Sequence, residues 1–288
     1  MNYIKKYFNI ISLLIVITFL ISGCTNSEST NTISFKDHSL QFTVHYIDIG
    51  QGDSELIQVN GKNLLIDAGP NKNTHKLISY LNHENIKTLD YVIATHPDED
   101  HIGGMSSVIK KYDIDKFYAP RKIVNTKTFE NMIDELKSKN MKIDVPKPGT
   151  QLNLGKNTTA EILAPNSTKY EDTNNYSVVL KISYGNTKFL FTGDAEKLSE
   201  REILDKNYDV SADVLKIGHH GSSTSTTDEF LDKVSPKIAI ISCGRDNSYG
   251  HPHKETLKKL KKRNIRIYRT DIDGSIVLIS NGKSIVKE

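Results

Sequence analysis

The sequence predicts an α/β protein in which two packed mixed sheets are covered by helices, an αββα sandwich. Three observations carry that expectation. Short β-rich runs come first and are joined by a hairpin signal, Asn60-Gly61. Strands then alternate with amphipathic helical patterns. The theme recurs in a second half, and apolar runs in both halves stop at residues able to do chemistry: Asp67, His96, Asp194 and His220.

The N-terminus is set aside before the fold is read. Lys5 and Lys6 precede a largely apolar run at 10–21, which closes on Ile21-Ser22-Gly23-Cys24. This resembles a bacterial lipoprotein signal peptide, in which Cys24 is lipidated and becomes the mature N-terminus. The run is short for a spanning helix, which needs about 20 apolar residues. An uncleaved N-terminal anchor is the alternative. Both place the rest of the chain outside the cytoplasm, tethered to the outer face of the membrane. The expected organisation is therefore a signal peptide at 1–23, a flexible Ser/Thr/Asn-rich tether at 24–39, and one folded domain at 40–288.

The formal net charge is +3, and two of the positive charges, Lys5 and Lys6, lie in the leader. Overall charge thus gives no argument for nucleic-acid binding, although a local basic patch is not excluded. With Cys24 assigned to the lipid, Cys243 has no partner for a disulfide. It follows an apolar run and reads as a small core residue.

Within the domain, 41–49, 55–59 and 63–66 read as strands, the last ending at Asp67-Ala68-Gly69-Pro70. Leu77, Ile78 and Leu81 share one face of a helix at 74–84. A strand at 89–94 feeds the loop Thr95-His96-Pro97-Asp98-Glu99-Asp100-His101-Ile102-Gly103-Gly104. A helix at 105–111, a short strand at 116–119 and a helix at 127–139 follow. Pro146, Pro148 and Gly149 interrupt 140–160. The second half gives strands at 159–163, 177–184 and 188–192, a helix at 196–204, a strand at 213–217, a helix at 227–234 capped by Thr227, and a strand at 237–242. A basic helix at 254–263 and strands at 266–268 and 275–279 close the chain. The basic run reads first as a solvated face; tracking a phosphate backbone is the alternative reading.

The loop after 89–94 places His96, Asp98, Asp100 and His101 within six residues. Imidazole and carboxylate together suit zinc, manganese or iron(II). Adding Asp194 and one of His219 and His220 gives about the number of ligands that two divalent ions sharing a carboxylate require. Such a pair clamps attacking and leaving oxygens and lowers the pKa of a bound water, so no nucleophilic side chain is needed.

These motifs, with Leu65-Ile66-Asp67-Ala68-Gly69, Phe191-Thr192-Gly193-Asp194 and His219-His220-Gly221, resemble those of the metallo-β-lactamase-fold hydrolases. More narrowly, Asp48-Ile49-Gly50-Gln51-Gly52-Asp53-Ser54, Asn175-Tyr176-Ser177-Val178-Val179-Leu180 and Tyr249-Gly250-His251-Pro252-His253 resemble the extracytoplasmic hydrolase domain of the ComEC competence proteins.

The resemblance implies that His96 and Asp98 hold one metal and that Asp100, His101 and His220 hold the other, with Asp194 bridging. Either metal is expected to be zinc or manganese, and one or two ions fit. His220 is favoured over His219 because Gly221 follows it. Asp100, His219 and Asp194 are expected to act on the reacting groups, and Asp67, Gln51 and Asp53 to orient the metal loop from behind. Ser222, Ser223, Lys216, His251 and His253 are expected to meet substrate. Asp98 stands where most of the superfamily has His, which hardens the ligand set toward manganese. A family histidine has no counterpart near Asn174 and Asn175. The function implied is a lipid-anchored phosphodiesterase or nuclease acting on DNA. The alternatives are a phosphodiesterase for choline-phosphate, wall-polymer or small-nucleotide substrates, and a non-catalytic lipoprotein that binds DNA or a partner.

Overall fold

A two-residue turn sets the register of the first sheet. Asn60 and Gly61 both take positive φ, 52° and 74°, the type I′ geometry that matches the twist of the strands it joins. It links β2 (Glu55–Val59) to β3 (Lys62–Ile66), with β1 (Phe42–Tyr46) antiparallel on the other side of β2. The computed structural model describes residues 41–288; the expected signal peptide, the tether and Cys24 lie outside the described residues.

From β3 onward the sheet grows by parallel crossovers, as the switch to helix-strand alternation requires. Helix α1 (Thr74–His83) leads to β4 (Thr88–Ile93). The short α2 (Glu99–Ile102) and α3 (Met105–Lys111) lead to β5 (Asp113–Tyr118), and α4 (Lys127–Ser138) to β6 (Ile143–Asp144). The eight-stranded order is β14-β13-β1-β2-β3-β4-β5-β6. The last strands of the chain, β13 (Ile276–Ser280) and β14 (Ile285–Lys287), complete it beside β1.

The second sheet repeats this plan. Three antiparallel strands, β7 (Thr158–Ala164), β8 (Val179–Tyr184) and β9 (Thr187–Phe191), come first. Then α5 (Lys197–Asp205), β10 (Val214–Lys216), α6 (Asp228–Val234), β11 (Ile238–Ile241), α7 (Lys254–Lys262) and β12 (Arg266–Arg269) add parallel strands. A last short helix, α8 (Thr270–Asp273), precedes β13.

Three apolar clusters identify the layers. One fills the space between the sheets, where Phe42 packs on Phe189 at 4.9 Å between ring centroids and Tyr46 stacks on Phe191 at 6.1 Å. A second lies under α1, α3 and α4, with Leu77, Leu81, Val108, Ile109, Met132 and Leu136. A third lies under α5, α6 and α7, with Ile203, Phe230, Leu231 and Leu260. The αββα sandwich expected from the sequence is the architecture found. Strands buried on both faces explain the continuous apolar runs of β4, β9, β10 and β11. Among the described residues no helix is long and apolar enough to cross a membrane.

Candidate metal centre

The centre forms where strand ends of both sheets meet. At the end of β3, Asp67 is fully buried with φ 55°. Its carboxylate accepts the Thr95 N–H at 2.7 Å and the Thr95 hydroxyl at 2.6 Å, so it clamps the start of the loop after β4. It also accepts from His101 Nδ1 at 2.7 Å. That bond fixes the ring and turns Nε2 toward the centre, the arrangement by which a carboxylate orients a metal-binding histidine.

Two further histidines are held the same way. His220 Nδ1 donates to the Ser242 carbonyl at 2.9 Å, and His96 Nδ1 lies between the Thr95 hydroxyl at 3.1 Å and the Ser177 hydroxyl at 3.3 Å. Ser177 also accepts the Asp194 N–H at 3.1 Å, tying the loop after β9 to that after β4. His219 and His220 take left-handed φ of 48° and 51°, a conformation that non-glycine residues hold only where surrounding structure imposes it. In this turn both side chains face the centre.

Ligand atoms of Asp100, His101, Asp194 and His220 all lie within 4.8 Å of one another. Asp194 Oδ2 is 3.3 Å from His101 Nε2, 3.4 Å from His220 Nε2 and 3.7 Å from His219 Nε2; Asp100 Oδ2 is 3.1 Å from His220 Nε2. His96 sits beside this group, its ring centroid 4.1 Å from that of His101, and its Nε2 is 3.6 Å from Asp98 Oδ2. The structure thus brings four candidate ligands into one cluster and sets His96 and Asp98 against it.

These groups fit a divalent ion. His96 Nε2, His101 Nε2 and Asp194 Oδ1 are buried with no hydrogen-bond partner among the described residues. Leaving such atoms unpaired is costly, and a nitrogen and oxygen donor set of this kind is met by zinc or a harder divalent ion. The electrostatics agree. Burial alone would raise the Asp194 carboxyl, but the His220 and His101 rings hold it well below the usual range. Burial would depress His101 and His220, yet the carboxylates around them, Asp194 foremost, push both well above the ordinary imidazole value. The pocket is built for positive charge.

Asp53, at the end of the loop after β1, is 1% exposed and lies behind His220. Its carboxylate is 3.3 Å from His220 Nδ1 and 2.7 Å from Lys216 Nζ, while its N–H donates to the Asp100 carbonyl at 3.1 Å. Gln51 Oε1 instead accepts from the Gly244 N–H at 3.1 Å, so it braces the loop after β11.

Two expected substrate contacts are corrected. Lys216 is 1% exposed, and its ammonium is spent on Asp53 and the Ile217 carbonyl. A β10 side chain facing between the sheets cannot reach a ligand at the open mouth. Ser222 is also buried, its hydroxyl 3.0 Å from that of Thr224. Ser223 is exposed and donates its N–H to His253 Nδ1 at 3.0 Å. The His251 ring lies 5.3 Å from that of His219 and 4.9 Å from that of His253, with its Nδ1 unpartnered among the described residues.

The sequence reading passed over Glu196. Its Oε1 accepts from Thr224 at 2.6 Å and lies 3.3 Å from His219 Nδ1. An acid ahead of a helix reads as a favourable end charge, but Glu196 makes no side-chain cap on α5. Its place two residues after Asp194 was the available signal. Near the missing family histidine, Asn174 Nδ2 lies 3.4 Å from His219 Nδ1, while Asn175 turns away to accept from the Ser199 N–H.

Comparison with known proteins agrees with this geometry. Residues 47–245 match the model of the metallo-beta-lactamase superfamily. The chain is 35% identical to ComE operon protein 3 of Bacillus subtilis over 251 residues, covering 81% of this chain and 32% of that protein. It is 30% identical to Recombination protein 2 of Haemophilus influenzae over 238 residues, covering 81% of this chain and 28% of that protein. The chain therefore spans about a third of the length of these relatives. Among solved structures, the metallo-beta-lactamase fold protein YhfI from Bacillus subtilis aligns with a TM-score of 0.52 at 16% identity, over 79% of this chain and 95% of that one. With that match over most of the domain, and with histidines and aspartates gathered at the strand ends, the chain belongs to the metallo-beta-lactamase superfamily.

Proposed function

We propose that this protein is a metal-dependent phosphodiesterase that cleaves DNA outside the cytoplasmic membrane, to which a lipid on Cys24 tethers it. The observation that carries the hydrolytic part is the set of buried, unpartnered donor atoms on His96, His101 and Asp194 facing Asp100 and His220. Likeness to Recombination protein 2, whose name points to nucleic acid, supports the choice of DNA.

Asp100, His101, Asp194 and His220 would hold one ion, and His96 and Asp98, with Asp194 shared, a second. Bound zinc or manganese supplies positive charge to the phosphate oxygens and eases deprotonation of an attacking water. The chain's own residues do the rest. Asp100 is partly exposed, and His101 and His220 hold its carboxyl down to about 2 against the effect of burial, so it stays ionised and accepts a hydrogen bond from the attacking water. Glu196 fixes His219 through Nδ1, leaving Nε2 toward the centre to protonate the departing oxygen. His96, His101 and His220, each anchored at Nδ1, exclude rearrangement of the ligand rings.

The test is metal analysis combined with a substrate panel: single- and double-stranded DNA, bis-p-nitrophenyl phosphate and a phosphocholine ester. EDTA should abolish cleavage, and Asp194→Ala should lose bound metal and reduce the rate by more than about 100-fold. Intact DNA beside a cleaved phosphocholine ester moves the substrate to the alternative class. Tight DNA binding by protein without metal or hydrolysis favours the non-catalytic reading.

A further inference from the structure

Beside the metal centre lies a cavity of about 500 Å³, within the usual span of ligand sites. Its walls are Val145, Pro146, Pro148 and Pro165, with Tyr176 at one side and Arg121 and Lys147 at the rim. Val145 is 48% exposed, so the apolar floor is open to solvent. None of the lining side chains is acidic. Neither the Arg121 nor the Lys147 side chain enters a hydrogen bond or ion pair among the described residues, whereas Arg263 and Arg269 are both tied to aspartates.

One short segment of chain connects the cavity lining to the centre. Tyr176 ends the turn Thr173–Tyr176, whose Asn174 reaches His219, and the next residue, Ser177, contacts His96. Lys122 Nζ lies 4.8 Å from the Tyr176 ring centroid and also lines a narrow cleft with His96 and Pro97. Lys122 thus stands between the metal loop and the cavity, with Arg121 and Lys147 on the cavity itself.

We propose that this groove receives the nucleotide adjoining the scissile phosphate of a single-stranded nucleic acid: the base or sugar lies on the valine-proline floor, and Arg121 and Lys147 take the next phosphate. The assignment rests on the phosphodiesterase reading and narrows its substrate. A choline-phosphate ester fits poorly, because its quaternary cation would meet Arg121 and Lys147 with no carboxylate among the lining side chains to offset them. Single strands are held without sequence preference by a basic groove along the backbone together with flat contacts for the bases, commonly aromatic; here valine and proline supply the flat contact.

The test uses fluorescence anisotropy of a fluorescein-labelled hexathymidylate in EDTA, where no hydrolysis runs. The variants are Arg121→Ala combined with Lys147→Ala, and separately Val145→Asp. All three positions are exposed, and melting temperatures check that the fold is kept. The double variant should bind about tenfold more weakly, with a salt dependence shallower by about 0.7, the value for one phosphate on a single strand. Val145→Asp should weaken binding likewise, while hydrolysis of bis-p-nitrophenyl phosphate by the metal-loaded variants stays at the wild-type rate. Equal affinities in wild type and both variants overturn the groove. A matching loss on the small substrate also overturns it, since these residues would then act on the reacting phosphate. Oligonucleotide binding through Arg121 and Lys147 without hydrolysis of either substrate sustains the groove and sinks the phosphodiesterase reading.

Discussion

Ring orientation decides what the centre can bind, and Asp67 controls one ring directly. Its Oδ2 accepts from both Thr95 and His101, so an amide at that position would set a donor against a donor. Asp67→Asn should free His101 to change tautomer and lower metal affinity by about 10- to 100-fold. Competition with a chromogenic chelator measures this, and wild-type affinity in the variant would remove Asp67 from the role. Single residues also mark the limit of sequence reading. The type of each group in 95–104 was legible because four donors fall so close together. Lys216 was misread because its partner Asp53 lies in a loop of the other half of the chain, and only packing shows that a strand lysine points inward. Glu196 was passed over because its chemistry toward His219 exists only once the turn at 218–221 has bent.

At the scale of elements, the loops that carry the donors are wedged together by backbone. Gly52 has φ 138°, and a Cβ there would fall 2.2 Å from the Asp100 carbonyl oxygen and 2.9 Å from Pro70 Cδ. Gly52→Ala should therefore destabilise the domain by about 2 kcal/mol or more and displace Asp100, read as a lower urea midpoint together with weaker metal binding. A stable variant with unchanged metal affinity would show that the loops have slack. Strands with continuous apolar or alternating patterns, such as β2, β4 and β11, were legible nearly to the residue. Two-residue β6 and the short helix α8 were not, because neither is long enough to show a period. Strand β5 begins at Asp113, earlier than expected, because its first half is largely exposed and only Ile114 there packs against the core.

On the scale of the whole molecule, the donors come from both sheets: His96, Asp100 and His101 follow β4, while Asp194 and His220 follow β9 and β10. An ion held there joins the two halves of the sandwich and binds the folded state alone. At a hundredfold excess over its dissociation constant it should add about 2.7 kcal/mol. For a domain of this size that corresponds to a melting temperature about 5–10 °C higher than in EDTA. The gain should shrink in acid. The carboxylates hold protons on His101 and His220 above the ordinary imidazole range, and a metal must expel those protons to bind. Thermal scans with and without manganese or zinc, at several pH values, check both statements, and a gain unchanged by acid would count against these histidines as ligands.

The pairing of β1 with β13 sets an order of events. Strand Phe42–Tyr46 finds one neighbour at once in β2, but its other edge stays open until Ile276–Ser280 arrives. The Asp48 N–H waits on the Ser275 hydroxyl, 227 positions later. A chain emerging from its N-terminus therefore presents an unpaired, apolar strand edge for nearly the whole of its passage, and that edge is where a stalled or truncated molecule would begin to aggregate.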